Sequence, residues 1–221
     1  MGQVRLGITM SLDGFVAGPR QRLEAPLGEG GTALHEWVVA VRTWRRMHGM
    51  EGGATGQDDE VAAEAWEGIG ATVMGRNMFG PERGPWGEDP WRGWWGDDPP
   101  FHHPVFVLTH HPREPLQMAG GTTFHFVTDG IDSALARARA AAGDGDVGIG
   151  GGAATARAYL AAGLVDVFEV HVAPIVLGSG ERLFEGLDEL PRTYVRDRVL
   201  ASPTVTHVRF HRRGADDPPA G

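Results

Sequence analysis

The stretch that decides the fold is Val147-Gly-Ile-Gly-Gly-Gly-Ala153. It joins a short strand candidate at residues 146–149 to a helix candidate at residues 153–162. Glycines in such a turn let a phosphate approach the backbone, and the first helical turn adds free N–H groups and a positive dipole end. The stretch therefore predicts a phosphate-binding turn. The alternative is a tight turn that needs its glycines only for positive φ.

The same stretch also satisfies the loose G-x-G-x-x-G/A pattern of Rossmann dinucleotide-binding units. Asp166 or Glu169 lies roughly where such a unit places its ribose-binding acid. A Rossmann unit needs further strand–helix crossovers beyond this point, whereas the rest of this chain predicts mainly antiparallel strands. The context therefore argues against a Rossmann fold.

Strands and helices alternate on the N-terminal side of this turn. Branched and aromatic runs predict strands at residues 4–10, 71–74, 104–109 and 122–127. Helical spacing predicts a helix from Ile131 to a C-terminal cap at Gly143. Leu34, Trp37 and Trp44 belong to a second helical stripe, which predicts one amphipathic helix over residues 34–44, and a short helix is expected at residues 60–66. This alternation is typical of α/β proteins.

The alternation of strands and helices ends on the C-terminal side, where residues 165–172, 194–200 and 204–212 predict antiparallel strands. We expect one domain over residues 1–213 and a polar, disordered tail at residues 214–221. Residues 49–59 predict an exposed loop. Residues 80–103 hold four tryptophans among prolines and glycines, which indicates a structured loop that either covers a pocket or forms a subunit contact.

Composition narrows the class of protein. The 221 residues include no cysteine, so disulfides, a thiolate nucleophile and cysteine-based zinc sites are excluded. A formal net charge of −9 disfavours a nucleic-acid partner. The N-terminus lacks the pattern of a secretion signal, and no apolar run is long enough to span a membrane. We therefore expect a cytoplasmic protein without nucleic-acid or membrane partners.

Four segments, in order, carry a resemblance to a known family. They are Ile8-Thr-Met-Ser-Leu-Asp-Gly-Phe-Val-Ala-Gly18, Val73-Met-Gly-Arg-Asn-Met-Phe79, Ile149-Gly-Gly-Gly152, and Gly163-Leu-Val-Asp166 leading to Pro174-Ile-Val-Leu-Gly-Ser-Gly-Glu-Arg-Leu-Phe184. Together they span nearly the full chain. The chain resembles dihydrofolate reductases and, more closely, the reductase domain of the bifunctional riboflavin-biosynthesis deaminase/reductase and its stand-alone bacterial relatives.

The resemblance implies a fold and a cofactor. The fold is α/β and three-layered, like dihydrofolate reductase: a mixed, mostly parallel central sheet flanked by helices, with an antiparallel C-terminal hairpin. The cofactor is NADPH, lying across the ends of the central strands. The residues implied in binding it are Gly75, Arg76 and Asn77 in one phosphate turn, Gly150, Gly151, Gly152, Ala153 and Thr155 in the other, and Ala17 and Gly18 at the nicotinamide.

A further part of the resemblance concerns the adenosine 2′-phosphate. Thr109 and His110 match the strand end that faces this phosphate, with Arg113 nearby, which favours NADPH over NADH. The competing interpretation is a metal site built from the paired histidines at 102–103 and 110–111. Because neighbouring residues of a strand point to opposite faces, each pair contributes at most one ligand easily, and we expect no metal.

Few residues suggest a substrate site. Asp13 could orient substrate or a proton-donating water, or it could simply close a turn. His35 and Trp37 could contact an aromatic substrate ring, although Trp37 falls on the apolar stripe and would suit the core equally well. The only acid near the start of this helix is Glu36, so folate reduction is doubtful.

These observations predict an NADPH-dependent reductase that transfers hydride to a pyrimidine- or pteridine-like heterocycle. The activity implied by the resemblance is similar to the 5-amino-6-(5-phosphoribosylamino)uracil reductase of riboflavin biosynthesis. The alternatives are a non-catalytic nucleotide-binding module and a flavin- or deazaflavin-dependent oxidoreductase. The resemblance also implies a homodimer.

Overall fold

A single nine-stranded sheet organises the chain. We describe it from a computed structural model that covers residues 2–88, 90–215 and 217. In chain order the strands are β1 (Val4–Ser11), β2 (Phe15–Ala17), β3 (Ile69–Gly75), β4 (Pro104–Leu108), β5 (Leu116–Gln117), β6 (Thr123–Val127), β7 (Asp146–Ile149), β8 (Val167–Ala173), β9 (Glu181–Arg182), β10 (Tyr194–Ala201) and β11 (Thr206–Arg212). The sheet order is β10-β11-β8-β1-β7-β3-β4-β6-β5, and β2 pairs with β9 in a separate two-stranded ribbon.

Most of the sheet is parallel. Strands β8, β1, β7, β3, β4 and β6 run parallel to one another, whereas β10, β11 and β5 pair antiparallel. The predicted fold is therefore confirmed, with β10 and β11 as the C-terminal hairpin. The predicted tail lies mostly outside the described residues, apart from Gly214, Ala215 and Asp217.

Seven α-helices connect these strands within the described residues. They are α1 (Glu36–Ala40), α2 (Arg42–Met47), α3 (Gln57–Trp66), α4 (Arg76–Phe79), α5 (Ile131–Ala142), α6 (Ala153–Ala161) and α7 (Leu190–Thr193), with 3-10 turns at Gly31–His35 and Ala119–Gly121. Helices α5 and α6 begin at the predicted residues. Between the ends of these strands and helices lies the cleft described below.

The single helix predicted over residues 34–44 is wrong. The structure has the 3-10 turn, α1 and α2 in its place, with Val41 in an extended conformation between the helices. The cause is Ala54, which donates a hydrogen bond to the Ala40 carbonyl and accepts one from the Arg42 N–H. The returning chain thus takes over backbone groups that a continuous helix would use internally.

The two faces of the sheet are covered differently. On one face α5 and α6 pack on the main core, with Leu135, Tyr159 and Phe168 fully or almost fully buried. On the other face lie two smaller clusters. One holds Phe79, Phe124 and the tryptophans of the loop at residues 80–103, and the second holds residues of α1–α3 around Trp37. The cleft opens on this second face.

Candidate active site

Two turns at the same edge of the sheet form one end of the site. Gly75–Asn77 lies where β3 meets α4 and Gly150–Gly152 follows β7, and we call them the two edge turns. They are joined directly, because the Gly75 N–H donates to the Gly151 carbonyl at 3.1 Å. A Cβ on Gly75 would lie 2.3 Å from Thr155 Oγ1, so the close approach of the two turns requires glycine there. The two motifs considered for the cofactor phosphates therefore lie side by side.

The second edge turn opens into α6 without a side-chain cap. Gly152 is the N-cap residue and offers no side chain to the first helical N–H groups, which stay available to a ligand. A Cβ on Gly152 would have no heavy atom within 4 Å, so the space in front of this turn is open. Free N–H groups, a dipole end and open space are what an anion-binding helix terminus provides.

Arginines surround the first edge turn. The Arg76 guanidinium lies 3.2 Å from the ring centre of Trp86 and donates to Thr109 Oγ1 at 3.1 Å, while its Nε is buried without a partner among the described residues. Burial, together with the neighbouring Arg113 and Arg83, lowers the pKa of Arg76, although Glu82 opposes the effect. Such a group of cations is stabilised by an anion.

The tryptophan-rich loop packs on its own sheet. Trp86, Trp91 and Trp95 contact the cluster around Phe79, and the Trp91 indole donates to the Phe79 carbonyl at 3.1 Å. Trp95 also lines the cleft. The loop therefore forms part of the wall of the cleft.

The other end of the site lies on the sheet itself. Arg5, Thr9, Thr72, Glu169 and His171 line the cleft from β1, β3 and β8, and we call this set the polar sheet face. It is unusual for the middle of a sheet because buried polar groups need partners. Two glycines, Gly7 on β1 and Gly148 on β7, leave room above it.

Trp37 closes one side of the polar sheet face. Its indole is 6% exposed and donates to Thr9 Oγ1 at 3.1 Å, and its ring packs 4.8 Å from that of His171 and 5.0 Å from that of His207. His35 lies beside it in the cleft, with Nδ1 buried and without a partner among the described residues, and burial lowers its pKa.

One cleft of about 1070 Å³ contains both ends of the site. The residues considered for cofactor or substrate that line it are Ala17, His35, Trp37, Gly75, Arg76, Asn77, Thr109, His110, Gly150, Gly151, Gly152, Ala153 and Thr155. Asp13, Gly18 and Arg113 do not line it. A cavity of this size accommodates a large cofactor with a substrate.

Asp13 instead ties two loops together. Its carboxylate accepts hydrogen bonds from Ser11 Oγ and from the N–H groups of Leu177 and Gly178. The hydrogen bond from Ser11 is the main reason that the pKa of Asp13 falls to about 2, and the two backbone bonds add to it. Gly18 serves close packing, since a Cβ there would lie 2.0 Å from the Glu29 carbonyl oxygen.

Sequence reasoning missed several cleft residues. Arg83 and Gly84 of the loop line the cleft, as do Thr128, Gly130 and Ile131 around the start of α5. It also missed the polar sheet face, whose members come from distant strands. The alternation of Glu169 and His171 along β8 was a visible signal, but alternation alone does not say which face is buried.

Three residues in and beside the polar sheet face could hold a metal by composition. Glu169, His171 and His207 bring ligand atoms within 4.8 Å of one another. The three residues already have protein partners, because His171 and His207 share a hydrogen bond between their Nδ1 atoms and Arg198 pairs with Glu169 at 3.3 Å. Among the described residues, the histidine pairs of the sequence do not gather three such groups. His103, for example, bonds Thr72, and burial lowers its pKa to about 4.

The sequence profile of the RibD C-terminal domain matches residues 3–205. The chain belongs to this family. No curated protein sequence matches it significantly. Within the described residues, no helix has both the length and the apolar character needed to cross a bilayer.

Solved structures show the same fold at low sequence identity. A putative riboflavin biosynthesis protein from Shewanella sp. PV-4 is 23% identical, with a TM-score of 0.58 over 96% of this chain and 99% of that one. Dihydrofolate reductase from Enterococcus faecalis, complexed with NADP(H) and RAB-propyl, is 14% identical, with a TM-score of 0.53 over 96% of this chain and 98% of that one. RibD from Acinetobacter baumannii is 18% identical, with a TM-score of 0.58, and this chain covers 59% of its length.

Proposed function

We propose that this protein is an NADPH-dependent reductase that transfers hydride to a pyrimidine- or pteridine-like heterocycle. The observation that carries the proposal is that one cleft joins the two edge turns to the polar sheet face. The edge turns offer anion-binding groups and the sheet face offers neutral and charged hydrogen-bonding groups. A phosphorylated dinucleotide and a polar heterocycle together match these two ends.

The edge turns fit the phosphates of the cofactor. Gly151 and Gly152 leave the backbone open, and the uncapped start of α6 presents N–H groups. Arg76 adds a permanent positive charge. At the adenosine end, Thr109, His110 and Arg83 line the cleft near Arg76, which supports recognition of an additional phosphate and hence NADPH over NADH.

NADPH supplies the hydride when bound, and the chain supplies position and surroundings. Ile8, Val16 and Ala17 line the cleft and give it apolar walls that limit water. His35, Thr9 and His171 would orient the substrate from the other end. Asp13 holds the two flanking loops together through Leu177 and Gly178, which acts on the shape of the site at a distance from the cleft.

A structural neighbour suggests which substrate class to test first. A structure of similar fold from Thermotoga maritima, 14% identical with a TM-score of 0.55, is described as a diaminohydroxyphosphoribosylaminopyrimidine deaminase/5-amino-6-(5-phosphoribosylamino)uracil reductase. This chain covers 57% of that one. An aminopyrimidine is therefore the first substrate class to test, and we extend the proposal to a homodimer, to be checked by light scattering coupled to size exclusion.

The test is calorimetric titration with NADPH and NADH of the wild type, Arg76→Ala and Arg137→Ala. Arg137 is the matched control, because it is exposed and pairs with Asp129 outside the cleft. We expect NADPH to bind the wild type and the control alike and to bind Arg76→Ala about tenfold more weakly, the loss of one charge-assisted contact.

Other outcomes separate the parts of this proposal. Absence of binding by either nucleotide would overturn the cofactor assignment. Equal affinity for NADH would overturn the 2′-phosphate contact alone. Tight NADPH binding with no turnover across a panel of aminopyrimidines would instead indicate a nucleotide-binding module.

A further inference from the structure

A row of polar side chains crosses three strands on the polar sheet face. Thr9 on β1 is in register with His171 on β8, which in turn is in register with His207 on β11. His171 and His207 are joined through their Nδ1 atoms at 2.8 Å. His207 Nε2 then contacts Asp58 Oδ1 at 3.1 Å. The result is a chain of hydrogen bonds from Asp58 to His171.

Asp58 sets the direction of this chain. Burial opposes its ionisation, but hydrogen bonds from His207, Ser202 and Thr204 hold the pKa of Asp58 below its ordinary value. An ionised carboxylate only accepts hydrogen bonds, so His207 Nε2 carries a proton and donates. An imidazole that holds a single proton on Nε2 accepts through Nδ1, and for His207 this is the nitrogen that meets His171.

The same rule fixes the next ring. His171 Nδ1 must carry the proton that it donates to His207 Nδ1, so His171 Nε2 carries a lone pair. His171 also stays neutral. Burial is the main cause of its lowered pKa, the neighbouring His207, His35 and Arg198 add smaller contributions, and Asp58 opposes the effect. His171 Nε2 is therefore a hydrogen-bond acceptor, and Asp58 sets this role through His207.

This acceptor faces the cleft. His171 is 6% exposed and lines the cleft, and its Nε2 has no hydrogen-bond partner among the described residues. The atom nearest to a Cβ built on Gly7 is His171 Nε2, at 3.6 Å, and nothing else lies within 4 Å. Glycine at position 7 thus leaves the space in front of His171 Nε2 free.

We propose that the Asp58–His207–His171 chain fixes His171 Nε2 as the acceptor that binds an N–H or amino group of the heterocyclic substrate. This inference rests on the proposed function and identifies the protein atom that would bind the substrate heterocycle. Thr9 supports it, because its hydroxyl oxygen already accepts from the Trp37 indole and its proton is left to donate. An acceptor beside a donor matches the alternating N–H and C=O groups along a pyrimidine edge.

The first test needs neither substrate nor NADPH. Nitrogen NMR of ¹⁵N-histidine-labelled protein near pH 7 reports which ring nitrogen of each histidine carries the proton. We expect His171 protonated at Nδ1 only and His207 protonated at Nε2 only. In Asp58→Leu, which removes the acceptor that orders the chain, we expect the His171 tautomers to mix. A proton on His171 Nε2 in the wild type would overturn the proposal.

The second test uses 5,6-diaminouracil as the probe, titrated by calorimetry without cofactor. We expect His171→Leu to bind it about tenfold more weakly than the wild type, the loss of one buried hydrogen bond. His171→Gln, whose side-chain oxygen can replace Nε2 as acceptor, should recover most of the affinity. Gly7→Val should weaken binding while leaving the His171 tautomer unchanged.

The matched control is His125→Leu, since His125 lies on β6 and does not line the cleft. Failure of the wild type to bind millimolar probe, or equal binding by His171→Leu, would overturn the proposal. So would stoichiometric Zn²⁺ binding that shifts the His171 and His207 signals together, because those residues would then be metal ligands. Each result is independent of NADPH titration, so failure here leaves the cofactor assignment intact.

Discussion

The edge turns and the polar sheet face share one cleft but are built in different ways. Each edge turn is a short contiguous motif whose glycines and helix start lie within a few residues. The sheet face is a row in which Thr9, His171 and His207 meet only because β1, β8 and β11 pair in one register. The first kind of site is encoded locally, and the second depends on the whole sheet.

This difference affects how each end tolerates change. In the edge turns the backbone of one turn contacts the other turn directly, so the sensitive positions are those where a Cβ has no room, such as Gly75. On the sheet face the side chains contact one another, and Trp37 holds them in place through Thr9 and the imidazoles of His171 and His207. Backbone crowding should therefore damage the first end, and loss of a large side chain should damage the second.

The largest expected effect is on the sheet face. Trp37→Ala removes a buried ring and leaves Thr9, His171 and His207 without their cover, so we expect the free energy of unfolding to fall by about 3–5 kcal/mol. Urea denaturation followed by circular dichroism measures it. The control is Trp66→Ala, because Trp66 is 38% exposed and should cost much less. Equal losses in the two variants would mean that Trp37 has no special role in supporting the row.

Next in size is backbone crowding at the edge turns. Gly75→Ala places a Cβ against Thr155 Oγ1, and we expect about 1–3 kcal/mol of destabilisation from overpacking, together with weaker NADPH binding. Gly87→Ala is matched to it, since a Cβ there meets nothing within 4 Å. Denaturation of both variants by urea gives the comparison. If Gly75→Ala has the same free energy of unfolding as the wild type, the two turns can move apart without loss of stability.

The pH dependence of stability tests the polar sheet face without changing the size of any side chain. The folded-state pKa of His171 lies below its ordinary value of 6.5, so below that pH the unfolded chain binds a proton at this residue more readily than the folded chain does. The stability that depends on this difference is complete above about pH 6.5 and is lost as the pH falls, by up to about 1.4 kcal/mol per pH unit for one histidine. His103, with a pKa of about 4, acts in the same direction.

Urea denaturation between pH 7 and pH 4.5 measures this slope in the wild type and in His171→Leu. We expect a shallower slope in the variant, with the remaining part due to His103 and other buried histidines. Asp13 contributes only at lower pH, because its pKa falls from 3.8 to about 2. Identical slopes would show that His171 titrates normally in the folded chain.

The smallest expected change in stability is at the open position of the edge turns. Gly152 has φ −87° and free space where a Cβ would lie, so Gly152→Ala should change the free energy of unfolding by no more than about 1 kcal/mol, in either direction. The added methyl group would occupy the space proposed for a phosphate, so NADPH affinity should drop. A titration that shows full affinity would move the cofactor phosphates away from this turn.

Features that depend on residues close together in the sequence were predictable, and features that depend on residues far apart were not. The bounds of β7 and the start of α6 were predicted from the sequence, and α5 agrees over its full length at Ile131–Ala142. The helix predicted across Val41 failed because Ala54, from a later loop, bonds the backbone on both sides of that residue. The platform that Trp86 forms beneath Arg76 was equally hidden, since it depends on how an irregular loop folds back.

By itself the sequence determined the edge turns and the α/β alternation, because glycine freedom, helix starts and apolar periodicity act over a few residues. Only the tertiary structure decided that His171 meets His207 across two strands, and that Asp58 from α3 contacts the far side of the His207 ring. The physical reason is register: a slip of one residue turns every side chain of a strand to the opposite face, and strand pairing is settled by the packing of the whole sheet.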